Sequence, residues 1–180
     1  MKRAATQMRT RAPSVGGSQG AKGRRVPARS EAILIRPAQA ADLSQVIALD
    51  EQVTGIAKAD YWRNLFDRYH NPHSTQQFFL VATEADGAGE LVLGFILGEI
   101  RAWEFGSEPC GWVFALSVRP DARLRGLGQA LLEKMTVEFK KARVTKMRTM
   151  VARDRRLHML FFRAAGMMAG PYIELEKDLT

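Results

Sequence analysis

The chain has 180 residues, 46% of them hydrophobic, and a formal net charge of +8; that length holds one ordinary domain with a sizeable core and a remainder. No apolar stretch reaches the ~20 residues of a membrane span, and no apolar core follows the basic start, so neither a spanning helix nor a secretory signal is expected. The lone cysteine, Cys110, excludes an internal disulfide and fits a reducing, cytoplasmic compartment.

The positive charge is local. Residues 1–30 hold eight Lys or Arg and no acid, whereas nineteen basic and nineteen acidic residues follow from Glu31 onward. The first thirty residues also contain few large apolar side chains and several Gly and Pro, a composition that predicts a disordered basic tail ahead of one domain over 31–180. Such a tail is a bland extension, or else touches polyanions or serves as an address, and nucleic-acid affinity beyond its electrostatics is not expected.

In chain order, 32–38 (AILIRPA) predicts a first strand closed by Pro37. Leu43, Val46, Ile47 and Val53 recur at helical spacing behind Asp42, and Gly55 ends that helix. Tyr61, Leu65, Phe66 and Tyr69 mark a second short helix; 77–83, 86–89 and 90–103 then read as strand, turn, strand. A further strand, 111–118, stops at Pro120. Leu131, Met135, Phe139 and Ala142 follow at the spacing of an amphipathic helix that begins near Leu127. The last third predicts a strand at 146–152, a helix at 155–165 ended by Gly166, and a strand at 172–179. This order implies an α/β (α+β) mixed sheet, mostly antiparallel, with about four helices and a parallel crossover near 111–152.

The connection Arg119–Gly126 lies between a strand end and a helix start. First-turn N–H groups there lack carbonyl partners and the helix dipole favours negative charge, so the loop is suited to an anion. Gly126 and Gly128 let a ligand approach the backbone, and Arg123 and Arg125 add positive charge. The nucleotide P-loop is excluded because no Lys with Ser or Thr follows Gly128. The dinucleotide fingerprint is excluded because Leu131 stands where its third glycine belongs. The bland alternative is a capped helix with its arginines in solvent.

What remains is R-x-x-G-x-G (Arg123, Gly126, Gly128) behind Leu116, Val118 and Pro120. The stretch ALSVRPDARLRGLGQALLEKM resembles the acyl-coenzyme A motif of the GNAT superfamily of N-acetyltransferases, and the element order over 32–179, with FFRAAGM in the last helix, is similar to that superfamily too. The resemblance implies a GNAT-like acyl-CoA N-acyltransferase fold in which the strand at 111–118 splays from that at 146–152. It implies acetyl-CoA as co-substrate, with the backbone of Leu116, Ser117 and Val118 along the pantetheine arm and the Leu116 N–H as oxyanion donor. Arg123, Leu124, Arg125, Gly126, Leu127, Gly128 and Gln129 would hold the pyrophosphate.

The same resemblance shows departures. The family's proton-donating Tyr aligns with Phe162, a cofactor-binding Asn with Arg155 beside Asp154, and the Glu of the ribosomal-protein alanine acetyltransferases with Met150. Catalytic candidates must come from elsewhere. Glu99 lies two residues after Leu97 on the same face of an apolar strand, where a carboxylate needs a partner or a task. It is a general base or an amine-binding carboxylate, or else a salt-bridge partner of Arg101 or a solvent-facing strand residue. Tyr172 offers a hydroxyl to the thiolate, or else packs in the core. Glu104 and Glu108 are weaker candidates; Asp60, Tyr61 and Trp62 recognise an amine or anchor their helix. His70 and His73 alone make no metal site, and no metal is expected. The expected activity is acetyl transfer to a primary amine of a small molecule or protein by direct attack, and the rival is a non-catalytic acyl-CoA-binding module. A homodimer is left open.

Overall fold

A computed structural model describes residues 33–179 apart from Pro72, Asp86 and Ala88. The predicted basic tail and part of the turn at 86–89 lie outside the described residues. Among the described residues, five strands form one sheet in chain order: β1 Leu34–Pro37, β2 Gln77–Ala85, β3 Glu90–Arg101, β4 Cys110–Val118 and β5 Met147–Arg148. The first three pairings are antiparallel and β4–β5 is parallel. The helices are α1 Leu43–Thr54, α2 Ala59–Tyr69, α3 Leu127–Lys141 and α4 Arg156–Ala164.

Alternation along the strands gives each face of the sheet its own core. On one side Val46, Leu49, Trp62, Leu65, Phe66 and Tyr69 from α1 and α2 pack on Phe79, Val81, Val92, Phe95 and Leu97. On the other, Leu127, Leu131, Leu132, Met135 and Phe139 from α3 pack on Leu80, Ala82, Leu93, Ile96 and Val113, with Phe161 and Phe162 of α4 at the margin. The helical spacings expected for α1, α2 and α3 arise from this sandwich, except at Val53 and Tyr61, which are 38 and 47% exposed.

Buried charge fixes the first half of the domain. Asp42, only 3% exposed, accepts from Arg36 at 2.7 and 2.9 Å and from the Gln39 N–H. Asp50, 4% exposed, accepts the Trp62 indole N–H at 2.8 Å and pairs with Lys58 at 2.9 Å. Trp62 therefore anchors α2 on α1, the structural alternative of its two expected roles. Buried carboxylates persist only when paired in this way.

The last third departs from expectation. The strand predicted at 146–152 is reduced to Met147–Arg148, and 172–179 forms no strand. The apolar positions of that final segment, Ile173, Leu175 and Leu179, are 80, 91 and 92% exposed. Alternation suits a strand but does not supply the neighbour whose backbone would complete the ladder. Tyr172, read as a core residue in its packing alternative, is 52% exposed.

Candidate active site

Two irregularities of β4 create the site. Leu97 pairs with Ala115 but Gly98 with Val113, so Phe114 is an extra residue, a β-bulge. Beyond it the Arg119 N–H donates to Leu93 of β3 at 2.8 Å; by antiparallel alternation Ser117 and Ala115 also face β3, while the N–H groups of Leu116 and Val118 face away from it. Before the bulge the parity is opposite, since the Gly111 N–H donates to Lys146, beside β5. The bulge thus turns the Leu116 and Val118 donors toward the side on which β5 lies.

The second irregularity is that β5 is short. It pairs with β4 at Gly111–Met147 and Trp112–Arg148 and then leaves it, so β4 from Val113 onward has no partner strand on that side. The fork opens just beyond one lateral row across four strands: Gln77, Glu99, Trp112 and Arg148. The Leu116 and Val118 donors lie along the open stretch.

At the far end of that stretch, a turn of 3-10 helix at Pro120–Ala122 leads to α3. Leu124 (φ 66°) and Gly126 (φ 75°) are both left-handed, and Leu124 is fully exposed. Left-handed backbone at a helix start turns successive N–H groups into a concavity suited to anions. No side chain caps α3, so its first-turn N–H groups remain available. Gly126 is favoured by its dihedral, whereas Gly128 is favoured by packing: a Cβ there would lie 3.2 Å from the Phe161 ring, which would have to shift slightly. Sequence reasoning gave both glycines to ligand approach; the structure gives Gly128 also to the seating of α4.

The loop arginines differ from one another. Arg125 pairs with Glu84 of β2 at 2.5 Å, and this bond holds the Glu84 carboxyl below its usual range. Arg119 pairs with Asp121 at 2.9 Å. Arg123 has only a long contact with the Val118 carbonyl, 3.4 Å, and is the loop guanidinium without a carboxylate partner among the described residues. Gln129 is exposed and bonds Glu133. Leu127 is buried under the helix start, so only its backbone faces the loop.

Glu99 stands at the closed end of the fork, on the α1–α2 face. The Tyr69 hydroxyl of α2 donates to its Oε2 and Arg101 Nε donates to Oε1 at 2.7 Å. Burial pushes the Glu99 carboxyl upward, but the bonds from Tyr69 and Arg101 outweigh it and hold the group below its ordinary value. Burial first, and then the bond to Glu99, push the Tyr69 hydroxyl well above its usual range. Arg101 lies over the Trp112 ring at 4.9 Å, and Tyr69 meets Phe114, the bulge residue, edge to face at 5.5 Å. The salt-bridge alternative for Glu99 is therefore realised, and the carboxylate stays ionised within it. Tyr69 was legible only as a helical core position; its signal was a phenol at the end of a buried face, where a hydroxyl needs a partner.

The other candidates lie elsewhere. Tyr172 stacks on the Arg148 guanidinium at 4.6 Å. Phe162 is half-buried against the α3 core, Arg155 and Asp154 are at the surface, and Met150 is 62% exposed. Glu104 and Glu108 are exposed, as is Asp60, which pairs with Arg63. His70 closes α2, with Nδ1 2.9 Å from the Phe66 carbonyl. Among the described residues no group of three or more His, Cys, Asp or Glu could hold a metal, and no helix is long and apolar enough to cross a membrane.

A family model described as the acetyltransferase (GNAT) family matches residues 44–167. The chain belongs to this family. As a member, it is an acyl-CoA-dependent N-acetyltransferase. Among solved structures, the aminoglycoside N-acetyltransferase AAC(6')-Iy in complex with CoA is similar at TM-score 0.71 and 18% identity, over 86% of this chain and 99% of that one. The aminoglycoside 6'-N-acetyltransferase AAC(6')-IG from Acinetobacter haemolyticus gives 0.65 and 18%, over 82% and 99%. Glucosamine-6-phosphate N-acetyltransferase from Arabidopsis thaliana gives 0.64 and 18%, over 83% and 100%. At such identity these likenesses speak for the fold. No curated protein matches the sequence.

Proposed function

We propose that the chain transfers an acetyl group from acetyl-CoA to a primary amine by direct attack in a ternary complex. The observation that carries this reading is the continuity of β4. One end runs into an uncapped helix start, and the other meets an ionised carboxylate at the fork. The solved structures with CoA and a bisubstrate CoA analogue share this fold.

In this reading the α3 N-terminus, Arg123 and the backbone of Leu124–Gln129 hold the pyrophosphate, as dipole and unpaired N–H groups favour. Leu116, Ser117 and Val118 line the pantetheine arm, and the Leu116 N–H stabilises charge developing on the thioester oxygen. Glu99 holds the incoming ammonium. Its depressed pKa suits it to binding a cation better than to taking the proton, so the amine loses that proton to water before attack. The amine nitrogen then bonds to the carbonyl carbon, the carbon–sulfur bond breaks, and the thiolate takes up a proton. Tyr172 is the hydroxyl we assign to that proton. The absence of a phenol at Phe162 favours the second reading, a binding module without turnover.

The test is Glu99→Gln with steady-state kinetics and acetyl-CoA calorimetry. We expect kcat/KM to fall about 100-fold, on the scale of a positioned charged group, while acetyl-CoA affinity holds. Unchanged turnover would remove Glu99 from the site, and acetyl-CoA binding without turnover by the unaltered protein would establish the module.

A further inference from the structure

Arg148 occupies the β5 end of the row Gln77–Glu99–Trp112–Arg148. Met147 packs into the α3-side core, so alternation places Arg148 on the opposite face, the face of Glu99 and Tyr69. Its side chain is half-buried. Nη1 donates to Ser107, itself 7% exposed, at 3.2 Å, and the guanidinium stacks on Tyr172 at 4.6 Å. Both contacts orient the group, and neither neutralises it. Among the described residues Arg148 has no carboxylate partner, unlike Arg36, Arg101, Arg119 and Arg125.

The loop that would hold the pyrophosphate is too far away to explain this charge. Trp112, the β4 partner of Arg148, lies six residues before Val118, which is roughly 20 Å along a strand. Glu99 is much closer: two strand spacings separate it from Arg148, about 10 Å between backbones, with Trp112 of the same row between them on that face. The Glu99 carboxylate, paired with Arg101 on one oxygen, and the Arg148 guanidinium, with no carboxylate partner among the described residues, thus stand on either side of Trp112 at the end of the fork where the reacting amine would enter.

We propose that Arg148 is the anion-binding residue of the acceptor site. The acceptor is an amine that also carries a carboxylate or a phosphate, its ammonium at Glu99 and its anion at Arg148. This rests on the transfer reading above and deepens it. Ser107 is a positioning residue that aims the guanidinium by its hydrogen bond, and the Tyr172 ring lies against it; the planar fork of the guanidinium suits both oxyanions. A polycation would bring further positive charge against Arg148, so the site disfavours an aminoglycoside.

The experiment is calorimetry on the full chain saturated with CoA. It uses glucosamine, its 6-phosphate, its 6-carboxylate analogue and the aminoglycoside neamine. We expect at least one anionic derivative to bind ten-fold or more tightly than glucosamine, the phosphate and carboxylate arms deciding which oxyanion fits. Arg148→Gln should lose that advantage, Arg148→Lys should keep part of it, and glucosamine and acetyl-CoA affinities should not move, the latter also reporting an intact fold. Equal binding of glucosamine and its anionic derivatives, an unaffected Arg148→Gln variant, or tightest binding of neamine would overturn the proposal. Arg148-dependent anion binding without acetylation of any amine would remove the transfer reading and leave the subsite. Acetylation of neutral amines equally by both proteins would do the reverse.

Discussion

Glu99 owes its charge to opposed effects: burial favours the neutral acid, while donation from Tyr69 and Arg101 favours the carboxylate and prevails. Two outcomes follow from the sign of that shift. A carboxylate whose pKa is lower in the folded chain contributes stability above its unfolded value of about 4.3, and that contribution disappears as pH falls through the lower folded value. Acid unfolding monitored by circular dichroism should therefore show a steeper loss below pH ~4 in the native protein than in Glu99→Gln. The second outcome is kinetic. On the proposed mechanism kcat/KM should rise through neutral pH with deprotonation of the acceptor amine and show no inflection in the ordinary carboxylate range. An inflection there that vanishes in Glu99→Gln would make Glu99 the proton acceptor. Asp50 gives a purely structural counterpart: Asp50→Ala leaves the Trp62 N–H and Lys58 without their buried acceptor, a loss of about 2–3 kcal/mol in chemical denaturation.

Among the elements, α3 and its approach carry both packing and the proposed anion site. Leu131 is fully buried between α3 and the sheet, and Leu131→Ala should cost about 3–4 kcal/mol. Gly126 adopts φ 75° with nothing within 4 Å of an added Cβ, so Gly126→Ala meets backbone strain without a clash. A cost of about 1–2 kcal/mol is expected, with weakened acetyl-CoA binding as the loop relaxes. Equal affinity in Gly126→Ala would show that the left-handed turn is not needed for the anion. The bulge at Phe114 was not legible beforehand, because a bulge is a property of two strands in register and the run GWVFALSV has no break in its apolar character. The loop and α3 were legible because Gly126, Pro120 and the Leu131–Met135–Phe139 spacing constrain the backbone locally. The strand expected at 172–179 failed for the opposite reason: its alternation is local, while a strand needs a neighbour.

At the scale of the whole molecule, the partition of charge shaped the reading more than the total did. The +8 resides in residues 1–30, and the folded remainder is formally neutral, so the domain's chemistry depends on where individual charges meet. Sheet class and the element order up to the last helix could be read from periodicity, and the family resemblance implied where the cofactor would sit. The acceptor side could not be read in this way. Tyr69 reaches Glu99 across thirty residues, and Arg148 joins the row only through a two-residue strand. Long-range pairs of this kind leave no spacing signature. The most direct measurement of the central claim is mass spectrometry of a panel of amines incubated with the full chain and acetyl-CoA, with free CoA thiol followed in parallel. Thiol release that depends on an amine, matched by one acetyl group added to that amine and sharply reduced in Glu99→Gln, is the predicted result. Tight acetyl-CoA binding with neither amine-dependent thiol release nor an acetylated product would contradict it.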